Sequence, residues 1–176
     1  LVAAIDVAYE NIYRFHEAQK TAPIRLDTQE GVSCWQEKKP IEKVGIYIPG
    51  GTAPLFSTVL MLAIPAQLAG CSQIVLCTPP NKSGVPAAMR YAAQKCGVTI
   101  VAQIGGIQAI AALTFGTASI PKVYKIFGPG NQFVTVAKQK ATQYQTAIDM
   151  PAGPSELLVV ADSTAKPAYV AADLLS

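Results

Sequence analysis

Four polar side chains stand where this chain turns at glycine: Tyr47, Gln108, Asn131 and Ser155. Asn131 has the most telling setting, the stretch Lys125-Ile-Phe-Gly-Pro-Gly-Asn-Gln-Phe-Val-Thr-Val-Ala-Lys138. Ile126 and Phe127 end a short apolar strand, and Gly128 and Gly130 can take backbone angles closed to other residues. Asn131 is a favoured N-cap, and Phe133, Val136, Ala137 and Lys140 follow at helical spacing. A strand that turns on glycines into a helix points free backbone N–H groups at one place, which suits an anion or a nucleotide. The same residues also make a plain strand-to-helix turn with no ligand, because short Gly-Pro-Gly turns are common.

The other three side chains each carry two readings. Tyr47 lies one residue before the end of its expected strand, where its ring can cover an adenine or nicotinamide ring or fill the core. Gln108 falls in the first turn of a helix; its amide can hydrogen-bond a ligand or stay solvated. Ser155 and Glu156 follow Gly153-Pro154. A serine beside an acid raises nucleophilic chemistry, but no histidine is near it in the sequence, so substrate contact fits better than attack. His16, the single histidine, reads as a helix-end residue near the last carbonyls. The dinucleotide fingerprint Gly-x-Gly-x-x-Gly does not occur. One histidine and cysteines at 34, 71, 77 and 96 make no metal-binding spacing, so no metal ligand and no catalytic residue is assigned.

The elements that must position these groups come from bulk composition and periodicity. A chain of 176 residues suits one domain, or one domain with an excursion into a second. It is 51% hydrophobic and 14% charged, with mean hydropathy +0.30. That balance fits strands buried on both faces and some apolar surface that meets another domain or subunit. A net charge of +3 without a basic run argues against nucleic acid as a partner. The cysteines read as reduced and mostly buried, in a cytoplasmic setting. The longest apolar run, residues 55–69, holds Ser57, Thr58, Pro65 and Gln67 and is shorter than the roughly 20 residues of a membrane span. No signal peptide pattern is visible. The chain opens at Leu1 and stops at Ser176 inside helical patterns, as a piece of a longer protein would.

Leu1, Ile5, Ala8, Ile12 and Phe15 recur at helical spacing, so residues 1–20 are expected to form a helix with one apolar stripe. Residues 24–27 and 32–36 flank a hairpin turn at 28–31. From Val44 onward, strands are expected at 44–48, 74–77, 99–104, 123–127 and, as a buried strand, 157–161. Helices are expected at 52–69, with Pro65 kinking or restarting it, at 85–95, at 107–113, after Asn131 and from Pro167. Such alternation predicts an α/β fold, a mostly parallel sheet with helices on both faces. Three strand-to-helix turns are rich in glycine, at Gly50-Gly51, Gly105-Gly106 and Gly128 to Gly130. In open parallel sheets the carboxyl ends of strands share one edge, and ligands sit there.

Five motifs in one order then make the chain similar to a known family. They are Val44-Gly-Ile-Tyr-Ile-Pro-Gly-Gly51, Ala53-Pro-Leu-Phe-Ser-Thr-Val-Leu-Met61, Gly105-Gly-Ile-Gln-Ala-Ile-Ala-Ala-Leu113, Lys125-Ile-Phe-Gly-Pro-Gly-Asn131 and Asp149-Met-Pro-Ala-Gly-Pro-Ser-Glu156. Together they resemble histidinol dehydrogenase over essentially the whole chain. The resemblance implies an NAD-dependent, zinc-requiring homodimer that oxidises L-histidinol to L-histidine through an aldehyde, the last step of histidine biosynthesis. It implies a Rossmann-like NAD-binding domain over residues 44–160. Residues 1–43 and 161–176 then belong to a neighbouring domain that the chain leaves and rejoins. Carried over by motif, Tyr47, Gln108 and Asn131 match the NAD contacts and Ser155 a substrate contact. The family's zinc-binding Gln and His lie just beyond Ser176, and its acid-base Glu-His pair later still; His16 matches no catalytic position. The resemblance therefore implies that this chain alone is inactive and holds no zinc. A second reading is a non-catalytic nucleotide-binding α/β module, and a third is a structural remnant with an empty rim.

Overall fold

The computed structural model describes residues 1–50, 55–151 and 157–175. Gly51 of the first glycine turn, residues 52–54 of the expected second helix, and Gly153, Pro154, Ser155 and Glu156 lie outside the described residues.

The chain opens with helix α1 (Val2–Ala18) and the antiparallel hairpin β1 (Ile24–Gln29) and β2 (Val32–Gln36). An alternating series follows: β3 (Lys43–Tyr47), α2 (Phe56–Ala69), β4 (Gln73–Thr78), α3 (Ala87–Lys95), β5 (Ile100–Gln103), α4 (Gly106–Phe115), β6 (Lys125–Phe127) and α5 (Gln132–Ala141). A short 3₁₀ turn (Thr142–Tyr144) leads to β7 (Ala147–Ile148), and α6 (Pro167–Leu174) comes last. Strands β3 to β7 form one sheet in the order β5-β4-β3-β6-β7, with every neighbouring pair parallel. The expected α/β architecture is therefore what the chain adopts.

The sheet divides the core in two because alternate residues of a strand face opposite sides. Val44, Ile46 and Ile48 join Ile74 and Leu76 on one face, under Leu60 and Ile64 of α2 and Met89 and Ala92 of α3. Tyr47, Val75, Cys77 and Ile126 face the other way, under Ile110 and Leu113 of α4 and Val134 of α5. Gly45 lets α4 come close: a Cβ there would sit 2.9 Å from a Leu113 methyl. Burial raises the thiols of Cys77 and Cys96 to about 12, so both are inert neutral packing groups. Cys34, by contrast, is exposed on the hairpin and Cys71 is half-buried, so fewer cysteines are interior than their type suggests.

One sequence expectation is narrowed and one does not survive. Pro65 does not restart the second helix: α2 runs unbroken through it, since buried residues from Thr58 to Ile64 hold the preceding turns in place. Residues 157–161 are not a buried strand. Leu158 is 86% and Val160 88% exposed, and the segment pairs with no strand among the described residues. An apolar run becomes a strand only where a neighbour takes its backbone N–H and C=O groups. Conversely, β7 was not anticipated; it is only two residues long, below what periodicity can register.

Helix α1 is fastened to the α/β unit by its apolar stripe and a polar latch. Ile5 is 1% exposed in the β3–β4 core, whereas Leu1 and Phe15 at the ends of the stripe stay exposed. Asp6 accepts hydrogen bonds from Lys95 and from the Tyr91 hydroxyl, both at 2.7 Å, and the Tyr9 hydroxyl donates to Gln67 at 2.9 Å. The Lys95 bond first, and the Tyr91 bond second, hold the Asp6 carboxyl below its ordinary value of 3.8. A carboxyl lowered in the folded state stabilises it fully above the unfolded value, and that stability is lost as pH falls through the folded one. Asp6→Asn is therefore expected to flatten the acid limb of stability. Urea unfolding followed from about pH 6 down to about pH 2.5 checks this, and an unchanged limb would remove Asp6 from the latch.

Candidate functional site on the carboxyl edge of the sheet

The strand order places a reversal of direction at the middle of the sheet. From β3 the chain steps outward to β4 and β5, then crosses back to lay β6 on the other side of β3. Ligands of open α/β sheets sit outside the carboxyl ends of the strands at such a reversal. Here that crevice lies between the end of β3 at Tyr47 and the end of β6 at Phe127, where Gly128-Pro129-Gly130 begins.

The glycine turns meet there. Gly128 lies so close to β3 that a Cβ on it would be 2.1 Å from the Tyr47 carbonyl oxygen, and its φ of +125° favours glycine. At the opening of α4, Gly106 donates its N–H to the Tyr47 hydroxyl at 3.0 Å. A Cβ on Gly105 would be 2.6 Å from the Pro79 ring, and one on Gly50 would be 3.2 Å from the same ring. Bare backbone from three turns thus converges on one ledge.

Of the four residues singled out by sequence, three can be placed. Tyr47 is 4% exposed, with its ring in the core and its hydroxyl at the start of α4. Gln108 is exposed in the first turn of α4. Asn131 is exposed and caps α5, its Oδ1 accepting the Val134 N–H at 3.1 Å. Tyr47 is tied directly to both the α4 start and the Gly128 turn, so these three positions share one edge. Ser155 lies outside the described residues. His16, at the end of α1, pairs its Nδ1 with Gln19 at 2.8 Å.

Two residues of the ledge escaped sequence reasoning. Lys138, on α5, donates from Nζ to the Gly128 carbonyl at 2.8 Å and forms an ion pair with Asp149. The other oxygen of Asp149 accepts the Gly128 N–H at 2.8 Å. Lys138 closes the organising stretch and Asp149 opens the last motif, but nothing in their spacing pairs them.

The ledge is not the largest concavity. A cleft of about 1270 Å³ lies between the end of α1, the hairpin and α2, lined by His16, Trp35, Met61 and Pro65 among others. It includes none of Tyr47, Gln108 or Asn131. A groove of about 630 Å³ between α4 and α5 is walled by Ile107, Phe115, Phe133, Val136 and Tyr144, all at least half exposed. The larger cleft thus points away from the glycine turns, whereas the α4–α5 groove takes in Gln108; bare backbone and the strand reversal point to the turns themselves.

Comparison with known proteins decides the lineage. The family model described as histidinol dehydrogenase matches residues 1–176, the whole chain. This chain belongs to the histidinol dehydrogenase family. A histidinol dehydrogenase of Bacteroides fragilis (strain YCH46) is 63% identical over 177 residues, covering 100% of this chain and 41% of that protein. One from Idiomarina loihiensis is 58% identical over 98% of this chain and 40% of its own length. The crystal structure of histidinol dehydrogenase from Elizabethkingia anophelis superposes with a TM-score of 0.90 at 61% identity, covering 99% of this chain and 41% of that one. The chain thus spans about two fifths of the length of these histidinol dehydrogenases. No helix among the described residues is long and apolar enough to cross a membrane.

Proposed function

We propose that this chain is the cofactor-binding portion of a histidinol dehydrogenase, an oxidoreductase that takes L-histidinol to L-histidine through the aldehyde in two NAD-dependent steps. The observation that carries the reading is the convergence of three glycine turns on the strand reversal of a chain that belongs to this family throughout. Bare backbone suits the close approach of a pyrophosphate, and the first-turn N–H groups of α5 other than that of Val134, which Asn131 caps, have no partner inside the helix to satisfy them. NAD, when bound, accepts the hydride; the residues of this chain bind and orient it. Asn131 and Gln108 offer amides at the rim. Tyr47 offers its hydroxyl, whose oxygen accepts the Gly106 N–H and so also fixes the start of α4. Ser155 is the substrate contact in this reading.

The domain division follows: residues 44–160 form the NAD-binding unit, and residues 1–43 and 161–176 belong to a neighbouring domain. That domain and the second subunit of a homodimer cover the exposed apolar walls of the α4–α5 groove and the hairpin's Ile24, Leu26 and Trp35. Zinc does not fit here: among the described residues no three His, Cys, Asp or Glu side chains cluster to hold a metal. The zinc and the acid-base pair are assigned to sequence outside this chain, and the setting to the cytoplasm.

The test uses two proteins. One is a full-length protein carrying this segment, for instance the Bacteroides fragilis relative with the matching 41% exchanged for this sequence. The other is the 176-residue chain alone. With L-histidinol and NAD, the full-length protein is expected to release two NADH per substrate and the chain alone none. Steady NADH from the chain alone would overturn the assignment of catalysis to other residues. NAD binding without turnover in the full-length protein would favour a non-catalytic nucleotide module.

A further inference from the structure

Gly128 is the pivot of the ledge, and glycine is a poor pivot. It has no side chain to pack, and its φ of +125° lies where glycine alone moves freely. Both of its backbone polar groups are nonetheless held. Lys138 takes the carbonyl and Asp149 takes the N–H, each at 2.8 Å, and the two side chains are ion-paired to each other. The result is a closed ring of three contacts around a single residue, one on each of the two peptide units that flank its Cα and one between the side chains. The Lys138 side chain is only 8% exposed and that of Asp149 28%. Burying an ammonium costs more than burying an apolar side chain of the same length, so a merely space-filling position would be better served by methionine or leucine.

The next backbone donors after Gly128 are Gly130, Asn131 and the first turn of α5, because Pro129 has no N–H. Their direction follows from the orientation of the two peptide units that flank Gly128. The positive charge of Lys138 is already matched by Asp149, so it is not free to meet an anion.

We propose that Lys138 and Asp149 are positioning residues: they lock the two peptide units on either side of Gly128 so that the Gly130–Asn131 donors face the phosphates of the dinucleotide, without touching it themselves. This rests on the reading of the ledge as the NAD site.

The experiment measures steady-state kinetics and melting temperature in the full-length protein carrying this segment, with Lys138→Met, Asp149→Asn and both together. Each single variant is expected to raise KM for NAD about tenfold, with a smaller loss in kcat at saturating NAD. The double variant is expected to be no worse than the worse single, because either change opens the ring. Asp149→Asn sets the sign. If Lys138 bound phosphate directly, freeing its ammonium would tighten NAD, and that result would overturn the proposal. A fall in melting temperature with KM unchanged would also overturn it, leaving the pair a structural staple only. Should Lys138→Met fail to fold, the near-isosteric Asp149→Asn carries the test by itself. If Asn131→Asp weakens NAD while these variants do not, the positioning role alone fails. If Asn131→Asp also leaves NAD unaffected, the ledge is not the cofactor site.

Discussion

Gly128→Ala is expected to be the most damaging methyl group that can be added to this ledge. The new Cβ would lie 2.1 Å from the Tyr47 carbonyl oxygen and 3.0 Å from two further backbone atoms of Tyr47. No rotamer change relieves a clash with backbone, so β6 must move off β3 or the turn must flip. Either response also breaks the contacts of Gly128 with Lys138 and Asp149. Backbone strain of this kind and the lost charge-assisted bonds together suggest a cost of about 3–5 kcal/mol. Gly31 supplies the control. It has a φ of +79° in the hairpin turn, and nothing lies within 4 Å of its would-be Cβ, so alanine there costs only the left-handed penalty of about 1 kcal/mol. Urea midpoints of the two variants, read at unchanged slope, decide the matter. Equal shifts would mean that the packing of Gly128 against β3 is not as tight as its geometry says.

Asn131→Asp will separate the capping role of this side chain from its role toward a ligand. Aspartate caps a helix about as well as asparagine and suits the positive end of the helix dipole, so stability should stay within a few tenths of a kcal/mol, about 0.3 kcal/mol. In the proposed reading of the ledge the carboxylate would face the same space as the phosphates of NAD, and affinity should fall by at least about tenfold, or about 1.4 kcal/mol. Asn131→Ala gives the complementary pattern. Losing the bond to the Val134 N–H should cost about 1 kcal/mol of stability, along with weaker NAD binding. Isothermal titration with NAD and chemical denaturation on the same full-length preparations supply both numbers. Should Asn131→Asp bind NAD as the parent does, Asn131 is a cap and nothing more.

Much of the architecture was readable because it is written locally. The hairpin followed from two short apolar runs around a Gly31 turn, and the structure places β1 and β2 on either side of it. Alternating strand and helix patterns after Val44 implied a parallel sheet, since a parallel strand needs a crossover. Gly128-Pro129-Gly130 followed by Asn131 marked the β6–α5 turn, for only glycine and a good N-cap satisfy that backbone. The family, too, was legible, because five short motifs in one order are far more specific than any one of them.

What the chain's order of residues could not say is who stands next to whom. Whether an apolar run is buried depends on its neighbours: residues 74–77 lie between two strands and vanish, whereas residues 157–160 have no pairing strand among the described residues and Leu157, Leu158 and Val160 stay in the open. Tyr47 could have stacked on a ligand or filled the core. Alternation along β3 turned it toward α4, and the crossover brought Gly106 to its hydroxyl. Lys138 and Asp149 are eleven positions apart and meet only because α5 folds back over β6 and lays β7 at the sheet edge. Local backbone preference acts over a few residues and is visible in a string of letters. Pairing across a sheet is a property of the assembled fold, and it is there that the ledge acquires its shape.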